Sequence, residues 1–73
     1  MGMSLSQSII SRETKRFMRA HCVTQAELGR HLHITQSQVS ARLRGTVRWT
    51  LDDLDRLCNL GVPVRIASGQ EAW

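Results

Sequence analysis

The spacing of apolar residues along the chain predicts four helices. The first extends from about Ser6 to His21, because apolar side chains recur along it at helical spacing. The residues that trace this face are Leu5, Ile9 or Ile10, Thr14 and Phe17. Shorter helices are predicted at 25–32, at 36–44 and between the Thr50 cap and Gly61. The apolar side of the last helix is predicted to consist of Leu51, Leu54, Leu57, Cys58 and Leu60. Residues 62–69 permit either one further helical turn or a short strand, and we favour the turn.

Each of the three short helices begins with the sequence of a capping box. In this motif a threonine oxygen accepts a hydrogen bond from the backbone N–H three residues later, and the side chain there bonds back to the threonine N–H. The pairs are Thr24 with Glu27, Thr35 with Gln38, and Thr50 with Asp53. The first two caps are eleven residues apart, which leaves room for a helix of about two turns and a tight reversal. Two capped helices this close together indicate a helix-turn-helix, a motif that holds its second helix in the DNA major groove.

The third helix is apolar on one narrow side only. With about 100° per residue and Ser37 set at zero, Val39 and Leu43 fall near 200° and 240°. The opposite side is small, polar or cationic, and Gly45 closes the helix as a C-cap. In the preceding helix, Gly29 costs about 1 kcal/mol of helix propensity against alanine. We expect that cost to be offset, because a residue without a side chain lets the next helix approach closely.

From the length of 73 residues we expect one small domain, without a catalytic domain beside it. We expect an all-α domain, a compact bundle of four to five helices with its core at about 6–68 and tails at 1–5 and 70–73. No apolar run approaches the length of a membrane span, and Met1-Gly2-Met3-Ser4 lacks the features of a signal peptide. The chain is therefore expected in the cytoplasm.

Candidate chemistry of other kinds is sparse in the sequence. Cys22 and Cys58 are 36 residues apart and form no Cys-x-x-Cys motif, so we expect two reduced thiols and no metal site. The sequence offers no Ser/His/Asp set, no paired acids and no Gly-rich phosphate loop. We therefore expect no enzymatic activity, no cofactor and no small-molecule ligand.

The distribution of charge is more informative than the net charge of +4. Residues 12–48 hold eight basic and two acidic side chains, a net charge of +6, whereas residues 49–73 hold two basic and four acidic ones, a net charge of −2. A basic part beside an acidic part indicates one side that faces a polyanion. Nine of the ten basic residues are arginine, which pairs with phosphate bidentately and also binds guanine edges.

Three sequence motifs together resemble the Cro/repressor-type helix-turn-helix of lambdoid phage regulators and many bacterial regulators. They are Thr24-Gln-Ala-Glu-Leu-Gly continuing through Ile34-Thr-Gln-Ser-Gln-Val-Ser to Gly45, then Trp49-Thr-Leu-Asp-Asp-Leu, and Leu60-Gly-Val-Pro. The resemblance covers about residues 8–68. It implies a bundle of four or five helices like that of the λ repressor. It also implies a transcriptional regulator, phage-encoded or bacterial, that binds double-stranded operator DNA, usually as a homodimer.

The resemblance carries family roles onto individual positions. The base-reading positions match Gln36 and Ser37, with Ser40 and Ala41 as further candidates. Gln25 matches a phosphate-contacting position of the family. Further candidates for phosphate contacts are Gln38, Arg42, Arg44 and Arg48, together with Arg16 and Arg19 on the basic side of the first helix. For the last two, an ordinary solvated helix face is an equal alternative.

The sequence departs from the family pattern in three places. His33 stands where the turn usually has glycine, a position that needs a positive φ. Arg42 stands where the family commonly has an apolar residue, so either its side chain extends to the surface or the third helix is rotated. Met18 and Leu43 replace a partly buried ion pair, and this joint change predicts that they touch.

Two other kinds of function use the same fold. An antitoxin or a phage anti-host factor would bind a protein, and an exposed apolar patch on the fourth helix or at Val64, Ile66 and Trp73 would favour that interpretation. A recombination protein would bend DNA without regulating transcription. Trp49 is expected in the core or in an interface, whereas Trp73 is either a dimer contact or part of a tail.

Overall fold

The predicted helices are all present. The computed structural model describes residues 5–64, in which four α-helices occur in the order α1 (Leu5–His21), α2 (Gln25–Leu32), α3 (Gln36–Arg44) and α4 (Leu51–Leu60). Within that part of the chain there is no β-strand, so the expected all-α class is confirmed. The bounds of α2, α3 and α4 agree with the prediction, and α1 begins one residue earlier.

All three predicted capping boxes form. The backbone N–H of Glu27 donates to the Thr24 hydroxyl at 3.1 Å, and the Glu27 carboxylate accepts from the Thr24 N–H at 2.8 Å. The same reciprocal pair of bonds begins α3 at Thr35 and α4 at Thr50. Each box satisfies backbone donors that a helix leaves without a partner in its first turn, which is why these short helices begin where they do.

The turn between α2 and α3 keeps the left-handed geometry that the family builds with glycine. His33 takes φ 60° and ψ 39°, and the chain reverses there as the Ile34 N–H donates to the Gly29 carbonyl at 2.9 Å. A Cβ atom on Gly29 would lie only 2.7 Å from the Ile34 oxygen. The expectation that Gly29 permits a close approach is confirmed, and the element that approaches is the backbone leading into α3.

The core lies where all four helices meet. Its buried apolar residues are Ile10, Leu28, Leu32, Val39, Leu43, Trp49, Leu57, Val62 and Val64. Met18, Phe17 and Leu54 are among the partly buried side chains packed against them. α3 therefore sits on the rest of the bundle by its apolar side, which directs its other side outward.

Two side chains around the start of α4 differ in their placement. Leu51 was assigned to the apolar side of this helix, and that prediction is wrong, since its side chain is 71% exposed at the first position of α4. Trp49 is 4% exposed, which confirms it as a core residue. The core is therefore filled here by Trp49 from the loop before α4, and not by Leu51 from the first position of the helix.

The chain after α4 is described only as far as Val64. Gly61 ends α4 in a left-handed conformation, and the next residues form neither a helix nor a strand up to Val64. Val62 and Val64 are both buried. The remainder of the expected turn or strand at 62–69, together with Ile66 and Trp73, lies outside the described residues.

No helix among residues 5–64 combines the length and the apolar character needed to cross a membrane.

Candidate nucleic-acid interface

The outer face of α3 carries the predicted base-reading residues. Gln36 and Ser37 are exposed, and Ser40 and Ala41 are half-buried, whereas Val39 is fully buried on the other side. The sidedness predicted from helical spacing is therefore confirmed. Because Thr35 caps α3 one residue before Gln36, the amide and hydroxyl groups of the first turn are presented at a rigid helix terminus.

Two polar residues of α3 are partly occupied by bonds within the helix. The side-chain oxygen of Gln38 accepts from the Thr35 N–H at 2.9 Å, which leaves its amide nitrogen as the group to donate outward. The Ser40 hydroxyl accepts from the Arg44 guanidinium at 2.8 Å. Ser40 thus orients Arg44 along the outer face of α3. One acceptor site of the Ser40 hydroxyl is occupied by that arginine.

A basic groove lies between α1 and α3. Its lining combines the cationic side of α1 with the last residue of α3: Arg12, Lys15, Arg16, Arg19 and Arg44. Gln25 at the start of α2 and Ser40 line one end of it. Arg16 is 67% exposed and its ion pair with Glu13 is long, at 3.3 Å, so this pair leaves the arginine accessible. Arg19 and Arg44 line both ends of the groove, whereas Arg16 lies at one end and Gln25 at the other.

The groove also contains Met18 and Leu43, the apolar pair for which the resemblance predicts a contact. Both side chains line the groove, and Met18 packs against the core cluster that includes Leu43. This arrangement agrees with the predicted neighbourhood of the two side chains. Their direct contact stays a prediction.

Arg48 is exposed on a loop that is anchored on several sides. The N–H groups of Thr46 and Val47 both donate to the Ala41 carbonyl, at 2.9 and 3.3 Å, so the loop folds back onto the end of α3. On the far side of Arg48, the Trp49 backbone is bonded to the side chain of Gln7 in α1. The loop therefore holds Arg48 beside α3.

Arg42 differs from its prediction. It is only 8% exposed, and its Nε donates to the Asp53 carboxylate at 2.7 Å, while Nη1 donates to the Gln38 carbonyl at 3.3 Å. A guanidinium bonded inside the protein is not presented to DNA, so we remove Arg42 from the expected phosphate contacts. The arginine is accommodated at this apolar position by its buried partner Asp53, and neither a rotated α3 nor a side chain extended to the surface is needed.

Two polar residues that hold the interface in place, Gln7 and Ser11, were not predicted, and Asp53 was predicted only as part of its capping box. Gln7 and Ser11 of α1 bond to Trp49, and Asp53 serves Arg42 as well as its own capping box. The one available signal was Arg42 itself, since an arginine at an apolar helix position requires a buried acceptor. Gln7 and Ser11 gave no signal, because their partners are 42 and 38 residues away.

The capping box of α2 also lowers the pKa of its glutamate, Glu27. The backbone N–H of Thr24, followed by its hydroxyl, lowers the pKa of Glu27, and Arg30 and His31 contribute in the same direction. Glu27 is therefore held in its charged form next to the N-terminus of α2.

Comparison with known proteins identifies the family from these same elements. No curated protein and no solved structure matches the chain. The family model of the Cro/C1-type helix-turn-helix DNA-binding domain matches residues 15–60, which extend from the middle of α1 to the end of α4. That span includes both helices of the motif, their turn and the basic residues of the groove other than Arg12. The chain belongs to the Cro/C1-type helix-turn-helix DNA-binding family.

Proposed function

We propose that this protein is a sequence-specific regulator of transcription that binds double-stranded DNA with α3 in the major groove. The observation that supports this most directly is the sidedness of α3, whose exposed polar face adjoins the basic groove while its apolar face is anchored in the core. An α-helix fits the major groove, where each base pair presents a distinct set of donors and acceptors.

Base recognition is assigned to the first turns of α3. Gln36 is placed to bond an adenine edge bidentately, and Ser37 to bond one of several base edges. The methyl group of Ala41, half-buried one turn later, would meet a thymine methyl. Ser40 contributes mainly through Arg44, because its hydroxyl already accepts a bond from that side chain.

Phosphate contacts are assigned to the rim of this face. Arg44 and Arg48 flank α3, and Gln25 stands at the N-terminus of α2, where backbone N–H groups attract an anion. Gln38 adds its amide nitrogen. Arg16 and Arg19 extend the basic surface along α1, so the footprint on DNA would continue past the major groove.

The finer proposal is a phage repressor or Cro-like protein that acts as a homodimer in the bacterial cytoplasm. Membership of the Cro/C1-type family supports it, since such motifs bind paired half-sites about one helical turn apart. A protein-binding role is less well supported. One residue of the apolar patch that would favour it, Val64, is buried, and Leu51 is the one strongly exposed large apolar side chain of α4.

Selection of bound sequences from a random DNA pool tests the proposal. Enrichment of two related half-sites at a fixed spacing is the expected result, because it reports both sequence preference and two-fold symmetry. Repeating the selection with Gln36→Ala should relax the preference at one position of each half-site. Asn59→Ala, on the exposed side of α4, is the matched control and should recover the wild-type sequence. A pool that stays random with the wild-type protein would rule out sequence-specific binding.

A further inference from the structure

A buried polar network connects α1, the loop before α4 and α3. The Trp49 N–H donates to the Gln7 side-chain oxygen at 2.6 Å, and the Gln7 amide donates back to the Trp49 carbonyl at 3.2 Å. The indole Nε1–H of Trp49 donates to the Ser11 hydroxyl at 2.9 Å, and that hydroxyl donates to the Arg42 carbonyl in α3 at 3.1 Å. Gln7, Ser11 and Trp49 are at most 8% exposed.

The two hydrogen bonds between the Gln7 side chain and the Trp49 backbone resemble those that a residue exchanges with its partner in a β-sheet. A side-chain amide holds its oxygen acceptor and its NH2 donor in one plane, and here each of them bonds to the backbone of the same residue. This fixes the peptide groups on either side of Trp49. Arg48 is the residue immediately before, so its backbone carbonyl and Cα are fixed together with the Trp49 N–H.

The opposite end of the same loop is fixed by α3. Thr46 and Val47 donate to the Ala41 carbonyl, and Gly45 closes α3 in a left-handed conformation. Between these two anchors, Arg48 has an exposed side chain on a backbone that is bonded on both sides. Buried hydrogen bonds of this kind are costly to leave unmade, so the loop is held firmly although it lies at the surface.

We propose that Gln7 is a positioning residue for DNA binding, which acts through the Trp49 backbone to hold Arg48 at the phosphate next to α3. This inference rests on the proposed DNA-binding function. Gln7 touches no DNA in this account. It stabilises the loop in the one arrangement in which Arg48 and the base-reading face of α3 engage the duplex together, and it thereby reduces the conformational freedom lost on binding.

A double-mutant cycle between Gln7 and Arg48 tests the proposal. The probe is the duplex most enriched from the random pool, and affinities are measured at several salt concentrations on protein shown by circular dichroism to be folded. Gln7→Met removes both bonds to Trp49 at similar side-chain size, and Arg48→Ala removes the charge. The expected coupling is about threefold or more, so that Gln7→Met weakens binding in the wild-type background and has little further effect once Arg48 is absent.

The salt dependence supplies a second measurement that stability alone does not change. Loss of one phosphate contact lowers the slope of log affinity against log salt by about 0.9. We expect this decrease for Arg48→Ala, a decrease toward the same value for Gln7→Met, and no further decrease for the double variant. Thr14→Val, a buried change in the same helix without a bond to the loop, is the control and should keep the wild-type slope.

The outcomes separate the inference from the proposed function. Additive effects of the two substitutions, or a wild-type slope for Gln7→Met, overturn the positioning role while DNA binding stands. A lack of effect for Arg48→Ala overturns it as well. If the wild-type protein binds no duplex, the proposed function fails and the inference fails with it. Should Gln7→Met not fold, Gln7→Glu replaces it, because a carboxylate keeps the acceptor for the Trp49 N–H, removes the donor to the Trp49 carbonyl and carries the same prediction.

Discussion

Arg42 and Asp53 form a buried ion pair that joins the last turn of α3 to the first turn of α4. The Arg42 Nε donates to the Asp53 Oδ2 at 2.7 Å, and the two side chains are 10% and 3% exposed. The same carboxylate oxygen accepts the Thr50 N–H at 2.9 Å as part of the α4 capping box. Asp53 therefore links the DNA-facing helix to the cap of its neighbour.

This shared role predicts unequal costs for removing the two partners. Asp53→Ala leaves a buried guanidinium without its acid and also removes a cap, so we expect a loss of about 3–5 kcal/mol in the free energy of unfolding. Arg42→Met should cost less, because the Asp53 carboxylate keeps the Thr50 N–H and the positive end of α4. Urea denaturation measures both, and equal losses for the two variants would contradict this account.

The close approach at Gly29 predicts that alanine is destabilising there in spite of its higher helix propensity. A Cβ atom would meet the Ile34 carbonyl oxygen at 2.7 Å, and the backbone after the turn would have to move. We expect Gly29→Ala to lower the free energy of unfolding by about 1–3 kcal/mol. Arg30→Ala, exposed in the same helix, should change it by less than about 0.5 kcal/mol. Thermal melts of both variants check this, and a Gly29→Ala protein as stable as wild type would refute the packing argument.

The left-handed conformation of His33 predicts opposite effects for the same substitution two residues apart. His33→Gly removes the side-chain clash at φ 60° and should stabilise the domain by up to about 1 kcal/mol, after the greater freedom of glycine in the unfolded chain is subtracted. His31→Gly places glycine within α2 and should destabilise it by about 1 kcal/mol. The pair is compared by denaturant unfolding, and a destabilising His33→Gly would show that the imidazole has a stabilising contact.

Thr14 presents a buried hydroxyl whose Oγ1 finds no hydrogen-bond partner among residues 5–64, although the residue is fully buried in α1. Replacing such a group with an apolar one of the same shape removes a desolvation cost, so we expect Thr14→Val to be neutral or to stabilise by up to about 1 kcal/mol. A loss of more than about 1 kcal/mol in calorimetry would indicate that the hydroxyl is satisfied in solution.

The lowered pKa of Glu27 predicts a pH dependence at the start of α2. Because the pKa of this group is lower in the folded state, its contribution to stability is present above the pKa of the unfolded chain and is lost as the pH falls through the folded value. Glu27→Gln should therefore show a smaller decrease in melting temperature on acidification than the wild-type protein does. Melting curves recorded across the acidic range at low salt test this, and parallel curves would contradict it.

The sequence was sufficient for the helices because the signals that form them are local. Each capping threonine and its partner are three residues apart, and the C-terminal glycines follow directly. The outer face of α3 was predictable for the same reason, since nine residues at a fixed rotation determine which side chains share a side. Gly29 also gave a usable signal, because its presence within a helix required a packing reason.

The sequence was insufficient where partners are distant. Nothing near Gln7 indicates that its amide will bond to Trp49, and Arg42 could be interpreted as a surface cation until its acid was located in α4. The predicted burial of Leu51 was wrong because helical periodicity gives the side of a helix on which a residue lies, but not whether other elements of the fold cover that side at the helix end. These errors all concern tertiary contacts of α1, α3 and α4.

The most direct test of the central claim compares Gln36→Ala with Arg44→Ala on the selected duplex and on single-base-pair variants of it, at several salt concentrations. If α3 reads bases while its rim holds phosphates, Gln36→Ala should lose about 1–3 kcal/mol of discrimination at one base pair and keep the wild-type salt slope. Arg44→Ala should keep that discrimination and lower the slope by about 1. If Gln36→Ala leaves base discrimination unchanged, the assignment of α3 as the recognition helix is contradicted.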